Sequence, residues 1–274
     1  MTLRELENAL LSLGAQDPRA EALIIIEHYF SVPAGIALCE KDRDYSSPML
    51  DSVLEKRKER IPLQYRLGEW EFMGKSFCVS QDCLIPRPDT EILVEKALEI
   101  GKIGDNVADF CTGSGCIGLS LLIYGDFEKM TLVDISKGAL EMARKNAKRH
   151  GLLEKCTFIL GDVCKDMPNA QYDLIVSNPP YIPTSDVDCL SPEVKKEPRL
   201  ALDGGADGLD IIRFLIGDGL SYLAENGKML IEFGYDQGEI MSTLLREKCD
   251  TGSIKSYEIL YDYGKNPRVA VIYK

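Results

Sequence analysis

The first sixty residues place apolar side chains at helical spacing. Leu3, Leu6, Leu10 and Leu13 share one face up to Gly14, and Thr2 with Glu5 has the spacing of a capping box. Asp17-Pro18 opens a second helix, whose apolar run at residues 22–26 continues into Tyr29 and Phe30 and stops near Pro33. A further helix starts at Ser47-Pro48 and carries Met49, Leu50, Val53 and Leu54 into the basic stretch 56–60, where Ile61-Pro62 breaks it. From residue 64 to 79 the pattern changes to alternating aromatic and polar positions around Gly68 and Gly74, the mark of a hairpin. Beyond residue 90, β-type runs at 107–110, 131–133, 157–160, 172–176 and 229–233 alternate with helical patterns, the rhythm of a parallel sheet. Runs at 257–260 and 269–273 flank Gly264 and predict a closing hairpin with at least one antiparallel strand. Together these predict a helical domain over residues 1–62, a hairpin linker over 63–84 and an α/β domain over 85–274.

Composition adds little to that outline and removes several functions. A chain of 274 residues suits two units, and 45% hydrophobic with 28% charged residues is an ordinary globular balance. The formal net charge of -12 argues against a protein that wraps bare nucleic acid, because that affinity comes from Lys and Arg neutralising phosphates; a local basic patch stays compatible with it. Nine cysteines, an odd number without paired CxxC spacing, point to reduced thiols in place of a disulfide framework or a zinc knuckle. The start of the chain reads as neither a signal nor a transit peptide, and the apolar run 22–26 is far too short to cross a membrane. A cytoplasmic protein without membrane partners is expected.

Candidate chemistry sits at strand ends. Asp109-Phe110-Cys111-Thr112-Gly113-Ser114-Gly115 follows the first strand of the sheet and leads into the helical pattern 117–122, so its glycines can turn sharply and let a ligand approach the backbone. The same segment would also serve as a plain strand-to-helix turn. It lacks the Lys of a phosphate-binding loop and the full GxGxxG, which disfavours a triphosphate or pyrophosphate clamp. Asp134 ends the next strand about twenty residues on, where a carboxylate can accept from ribose hydroxyls; as an alternative, it caps the helix beginning at Ser136-Lys137. Asp162, after Gly161, closes a third strand, and two successive strand-end carboxylates suit an adenosine moiety.

The fourth strand runs into Ser177-Asn178-Pro179-Pro180-Tyr181. Neither proline offers an N–H, so this loop presents acceptors, the Asn178 side-chain oxygen and the Pro179 carbonyl, to an NH2 group, and Tyr181 adds a flat face. A rigid turn is the bland alternative. His28, in the helical domain, and His150, before Gly151, read as structural or surface residues, which leaves no general base.

With these residues in view, the chain resembles the release factor glutamine methyltransferases, which modify the glutamine of the Gly-Gly-Gln loop in peptide chain release factors. The resemblance spans nearly the whole chain. Besides the two loops it rests on Pro62-Leu63-Gln64-Tyr65 with Gly68, on Leu84-Ile85-Pro86-Arg87-Pro88-Asp89-Thr90-Glu91, on Glu197-Pro198 with Ala201-Leu202 and Asp207-Gly208-Leu209, and on Asp262-Tyr263-Gly264 before Arg268-Val269. It implies a Rossmann-like seven-stranded class I methyltransferase domain that binds S-adenosyl-L-methionine, and a small helical amino-terminal domain that grips the release factor. Carried over by motif, the cofactor contacts are Cys111, Thr112, Gly113, Ser114, Gly115, Asp134, Asp162, Val163 and Asn178. Asn178, Pro179 and Tyr181 take the catalytic role, and with Pro180 and Arg87 they hold the substrate; no metal is implied. The bland reading of Pro86-Arg87-Pro88 is a rigid linker. Two positions depart from the family pattern: Cys111 stands where Gly is usual and Val163 where an aromatic residue is frequent, differences that bear on cofactor affinity more than on the reacting groups. Chemistry at the Asn-Pro-Pro-Tyr loop alone does not separate a glutamine amide from an exocyclic adenine NH2 in DNA or RNA. The acidic balance and the Ile-Pro-Arg-Pro segment favour the protein substrate.

Overall fold

A computed structural model describes residues 1–167 and 170–274. They divide into two compact units: residues 1–68 with 191–196, and residues 69–190 with 197–274.

The first unit is helical. Helix α1 (Leu3–Ser12) is closed by the Thr2–Glu5 capping box, and α2 (Pro18–Phe30) by the Asp17 carboxylate accepting from the Ala20 N–H at 3.0 Å. A short helix α3 (Ala34–Cys39), which the apolar pattern did not reveal, follows Pro33; α4 (Pro48–Lys58) starts on a Ser47 cap. Leu3, Leu6, Leu10, Ala22, Ile25, Ile26, Leu50 and Val53 form the core of this unit, whereas Met49 is 54% exposed. One turn beyond Val53 the buried face of α4 continues into Arg57. Its guanidinium is met by Glu21 and Glu193, each at 2.8 Å. A five-residue helix α5 (Leu63–Leu67) stands where the hairpin pattern begins, and Gly68, at φ 74°, ends it.

The hairpin proper belongs to the second unit. Strands β1 (Glu69–Phe72) and β2 (Lys75–Cys78) pair antiparallel across Met73-Gly74, both at positive φ, as a two-residue turn of matching twist requires. Then come α6 (Glu91–Ile100), β3 (Asn106–Phe110), α7 (Cys116–Tyr124), β4 (Lys129–Asp134), α8 (Lys137–Arg149), β5 (Cys156–Leu160) and β6 (Tyr172–Ser177). The chain continues through α9 (Thr184–Val187), α10 (Asp210–Leu215), β7 (Leu223–Glu232), α11 (Gly238–Asp250), β8 (Ser256–Tyr261) and β9 (Pro267–Tyr273).

The seven strands lie in the order β5-β4-β3-β6-β7-β9-β8, with β9 antiparallel to both neighbours and the other pairings parallel. The sheet is buried on both faces, which explains the nearly continuous apolar runs of its central strands. Chain order reverses between β3 and β6, so the crevice outside the carboxyl ends of β3, β4 and β6 is the place where such a sheet takes a ligand.

Candidate active site

The glycine loop leaves β3 under the control of Asp109. This side chain is fully buried; its Oδ2 accepts from Thr112 Oγ1 at 2.6 Å and from the Gly118 N–H at 3.0 Å. Burial pushes its carboxyl up to about 7, against those two hydrogen bonds. Asp109 thus ties the start of the loop to the first turns of α7. Cys111 takes φ 60°, and Gly113 and Gly115 take 55° and 79°. From the other side, Asn146 of α8, wholly buried, donates to the Ser114 carbonyl at 2.8 Å and clasps both backbone groups of Cys78 in β2. Asp109 opens the loop segment that the sequence singles out, but its part as anchor of that loop is not legible there, and Asn146 does not stand out at all.

Asp134 does not cap α8; that task falls to the Ser136 hydroxyl, which accepts from the Ala139 N–H. Instead Asp134 accepts from the Gly113 N–H and the Ser136 N–H, each at 2.8 Å, and burial raises its carboxyl above the ordinary range. Asp162 is held below it by the Lys165 ammonium at 2.8 Å and by the Cys164 N–H. His150 is structural: its Nε2 lies 3.1 Å from the Ser76 carbonyl, and burial lowers its pKa.

These strand ends border a cavity of about 370 Å3, within the span of small-molecule sites. Cys111, Thr112, Gly113, Ser114, Asp134, Asp162, Val163, Asn178, Pro180 and Arg87 line it; Gly115, Pro179 and Tyr181 do not. Gly115 is the helix-capping residue of α7, packed so closely on α8 that a Cβ would lie 3.1 Å from that of Ala143. A Cβ added at Gly113 would meet no protein atom within 4 Å, so it would stand in the space a ligand takes. A bare backbone turn, a half-buried carboxylate at the end of β4 and a second at the end of β5 form a donor and acceptor set that fits an adenosine with its ribose hydroxyls.

The Asn178–Tyr181 loop is clamped from behind. Ile182 exchanges backbone bonds with Leu202 and Gly204, Gln237 donates to the Tyr181 carbonyl at 2.9 Å, and a side chain at Gly204 or Gly208 would strike the backbone of residues 180 and 181. Asn178 Nδ2 donates to Thr90 Oγ1 at 3.2 Å, leaving its Oδ1 as the spare acceptor. Tyr181 turns inward, packs on the sheet core, and gives its hydroxyl to Glu232 at 3.2 Å. Arg87 is paired with the buried Glu197, whose other oxygen accepts from the Ile85 N–H at 3.0 Å, so the 85–87 segment is pinned beside the cavity. Thr90 and Glu232 were not foreseen as site residues. Neither can be told from a helix-start threonine or a strand-end glutamate without the fold.

Sheet order and crossover are those of the class I methyltransferase fold, and solved structures agree. A methyltransferase from Pyrococcus furiosus superposes with a TM-score of 0.55 at 17% identity over 74% of this chain and 90% of that one. A ribosomal protein L11 methylase from Lactobacillus delbrueckii subsp. bulgaricus gives 0.50 at 20% identity over 71% and 82%. The family model described as Methyltransferase small domain matches residues 88–191. Among curated relatives, the release factor glutamine methyltransferase of Moorella thermoacetica is 36% identical over 100% of this chain and 99% of its own length. That of Aquifex aeolicus is 35% identical over 96% and 93%. A ribosomal protein uL3 glutamine methyltransferase of Francisella tularensis is 37% identical but shares only 70% of this chain and 63% of its own. The chain belongs to the release factor glutamine methyltransferase family, and it is an enzyme of methyl transfer. No helix among the described residues is long and apolar enough to cross a membrane.

Proposed function

We propose that the protein transfers the methyl group of S-adenosyl-L-methionine to the side-chain amide nitrogen of the glutamine in the Gly-Gly-Gln loop of peptide chain release factors, and so modulates translation termination. The observation that carries this reading is the set of Asn178: its NH2 is committed to Thr90, which leaves Oδ1 to receive an amide hydrogen. Kinship over the full chain with release factor enzymes supports the protein substrate over adenine.

In this reading Cys111, Thr112, Gly113, Ser114, Asp134, Asp162, Val163 and Asn178 hold the cofactor, with Asp134 on the ribose, while Gly115 closes the loop behind them by packing α7 on α8. The cofactor supplies a sulfonium-bound methyl as electrophile. The chain's residues do the rest. An amide nitrogen is a poor nucleophile because its lone pair is delocalised. Asn178 Oδ1 and the Pro179 carbonyl, accepting its two hydrogens, localise and aim that pair, while Pro180, Tyr181 and Arg87 shape and border the place of the side chain. Orientation of this kind is worth on the order of 7–11 kcal/mol. Acceptors matched to positive charge developing on nitrogen add to it, and the extra proton leaves after transfer. The helical residues 1–62 serve the release factor; the acidic chain makes no direct contact with nucleic acid. Nine free cysteines suit a cytoplasmic enzyme.

Labelled cofactor offered with a release factor, with its Gln→Ala variant at the Gly-Gly-Gln loop, and with duplex DNA is expected to label only the first. Asn178→Ala should lower kcat by about 10²–10³-fold, as loss of one preorganised transition-state partner does. Label on DNA, or equal label on the Gln→Ala factor, would sink the reading.

A further inference from the structure

Tyr181 is gripped at both ends by one short stretch of chain. Its hydroxyl goes to Glu232, the last residue of β7, at 3.2 Å, and its carbonyl accepts from Nε2 of Gln237, at the start of α11, at 2.9 Å. Gln237 is 7% exposed and does not border the cofactor cavity. Its amide is fully used: Nε2 also donates to the Gly208 carbonyl at 3.4 Å, and Oε1 accepts from the Gly234 N–H at 2.8 Å. We infer that Gln237 is a positioning residue of methyl transfer, holding the Tyr181 carbonyl so that the Pro179 carbonyl keeps its aim at the substrate nitrogen; this rests on the reading of Pro179 as an acceptor for the glutamine amide.

Three backbone groups decide which side chain can stand at position 237. Two carbonyls need donors and one N–H needs an acceptor, and a primary amide of this length offers two hydrogens and an oxygen from one planar group. Turning the amide over would set acceptor against acceptor and donor against donor, at the cost of unmade bonds in a buried place. The three partners come from separate segments: the catalytic loop, the Asp207-Gly208-Leu209 turn and the turn after β7. The fit is close, since a Cβ at Gly208 would lie 2.2 Å from the Tyr181 oxygen and 2.8 Å from Gln237 Nε2.

The grip reaches the acceptor through the prolines. Loop entry is fixed where Ser177 of β6 pairs with Ile231 of β7 and gives its hydroxyl to the Phe110 carbonyl at 2.8 Å. Beyond the loop, Ile182 donates to the Leu202 carbonyl and accepts from the Gly204 N–H, and a Cβ at Gly204 would lie 2.6 Å from the Pro180 oxygen. Among the described residues no donor meets the Pro179 carbonyl. Peptide units are planar and the ring of Pro180 locks its φ, so only a few soft torsions separate the Pro179 carbonyl from that of Tyr181. Fixing the second limits the swing of the first. Without Gln237 the Tyr181 carbonyl can turn and the free acceptor turns with it, which costs rate more than binding, because alignment is what positioning contributes.

The test is kcat per cofactor-binding site, counted by calorimetric titration with S-adenosyl-L-methionine so that only folded enzyme enters, with the release factor saturating. Gln237→Met, of similar volume but without donor or acceptor, should turn over about tenfold more slowly, the worth of one hydrogen bond, with cofactor Kd and release factor KM within about twofold of wild type. Gln237→Glu supplies the conservative rescue. Its protonated carboxyl matches the amide in shape, with one hydrogen for the Tyr181 carbonyl and an oxygen for the Gly234 N–H, whereas the ionised form donates nothing. Its kcat relative to wild type should therefore rise as pH falls from about 8.5 to about 6, while the Gln237→Met ratio stays flat. Taking the ratio at each pH cancels the native groups around the site: Asp236 on the same turn, Asp207 beside Gly208, and Glu232 and Arg268 facing Tyr181. A Gln237→Met enzyme as fast as wild type per site, a cofactor Kd that weakens by as much as kcat falls, or a Gln237→Glu deficit that persists into acid would overturn the inference while wild-type turnover stands. If Gln237→Met does not fold, the acid series alone decides. A wild type that leaves the release factor unmethylated overturns the underlying reading instead.

Discussion

Cys111 shows most plainly what a single residue does to this site. It holds φ 60°, a left-handed conformation that costs an ordinary side chain roughly 1–2 kcal/mol. Its thiol packs against the core on one face of the sheet, and burial raises it well above the usual thiol range, so it is inert as a nucleophile. Strain and packing can be separated by comparing two truncations. Cys111→Ala removes the thiol and keeps the strain, whereas Cys111→Gly removes both; the glycine variant should be the more stable of the two by about 1 kcal/mol in denaturant melts. An alanine variant at least as stable as the glycine one would show that the loop carries no strain at this position. The departure from glycine was legible in the sequence, but its backbone angle was not. The anchoring role of Asp109 was likewise hidden: a strand-end aspartate declares it only when Thr112 and Gly118 are seen to bond to it.

At the scale of elements, the two glycines of the loop are unlike each other. Gly115, at φ 79° with Ala143 and Leu119 where a Cβ would go, serves the packing of α7 on α8; Gly113, at φ 55° with open space beside it, serves the ligand. Gly115→Ala is therefore expected to lower stability by about 2–3 kcal/mol, from left-handed strain together with overpacking. Gly113→Ala should lose only the strain and weaken cofactor binding by more than its stability predicts, as titration calorimetry would show. Equal losses of affinity in both would contradict this division. The strands of the sheet could be read in advance because a sheet covered on both faces demands apolar runs, and turn residues bound them. Two short helices could not. Ala34–Cys39 is only six residues long, and Leu63–Leu67 carries an aromatic and polar alternation that mimics a strand until Gly68 ends it. The burial of Arg57 was not legible either: nothing in the basic stretch 56–60 marks one residue as buried, and only Glu21 and Glu193, distant in sequence, make it tolerable.

For the molecule as a whole, pH acts on two opposed sets of carboxyls. Asp109 and Glu232, pushed up to about 7, bind protons more tightly folded than unfolded, so their contribution is complete below the ordinary carboxyl range and is lost as pH rises through about 7. Asp162, Asp203, Asp207, Asp262 and Glu193 are shifted down by their partners, so theirs is present above that range and lost as pH falls through it. The net charge of -12 adds self-repulsion at high pH. The melting temperature should accordingly climb from about pH 8 to about pH 6 and drop below about pH 4, with a flatter upper limb in Glu232→Gln. A melting temperature rising steadily from pH 6 to 8 would contradict the assignment. The polypeptide also leaves the sheet unit after Leu190 and re-enters it at Glu197, lending residues 191–196 to the helices, where Glu193 supplies half the counter-charge of Arg57. A helical unit cut at Gly68 would keep a buried guanidinium with one of its two carboxylates missing, so residues 191–196 must go with it for it to fold alone.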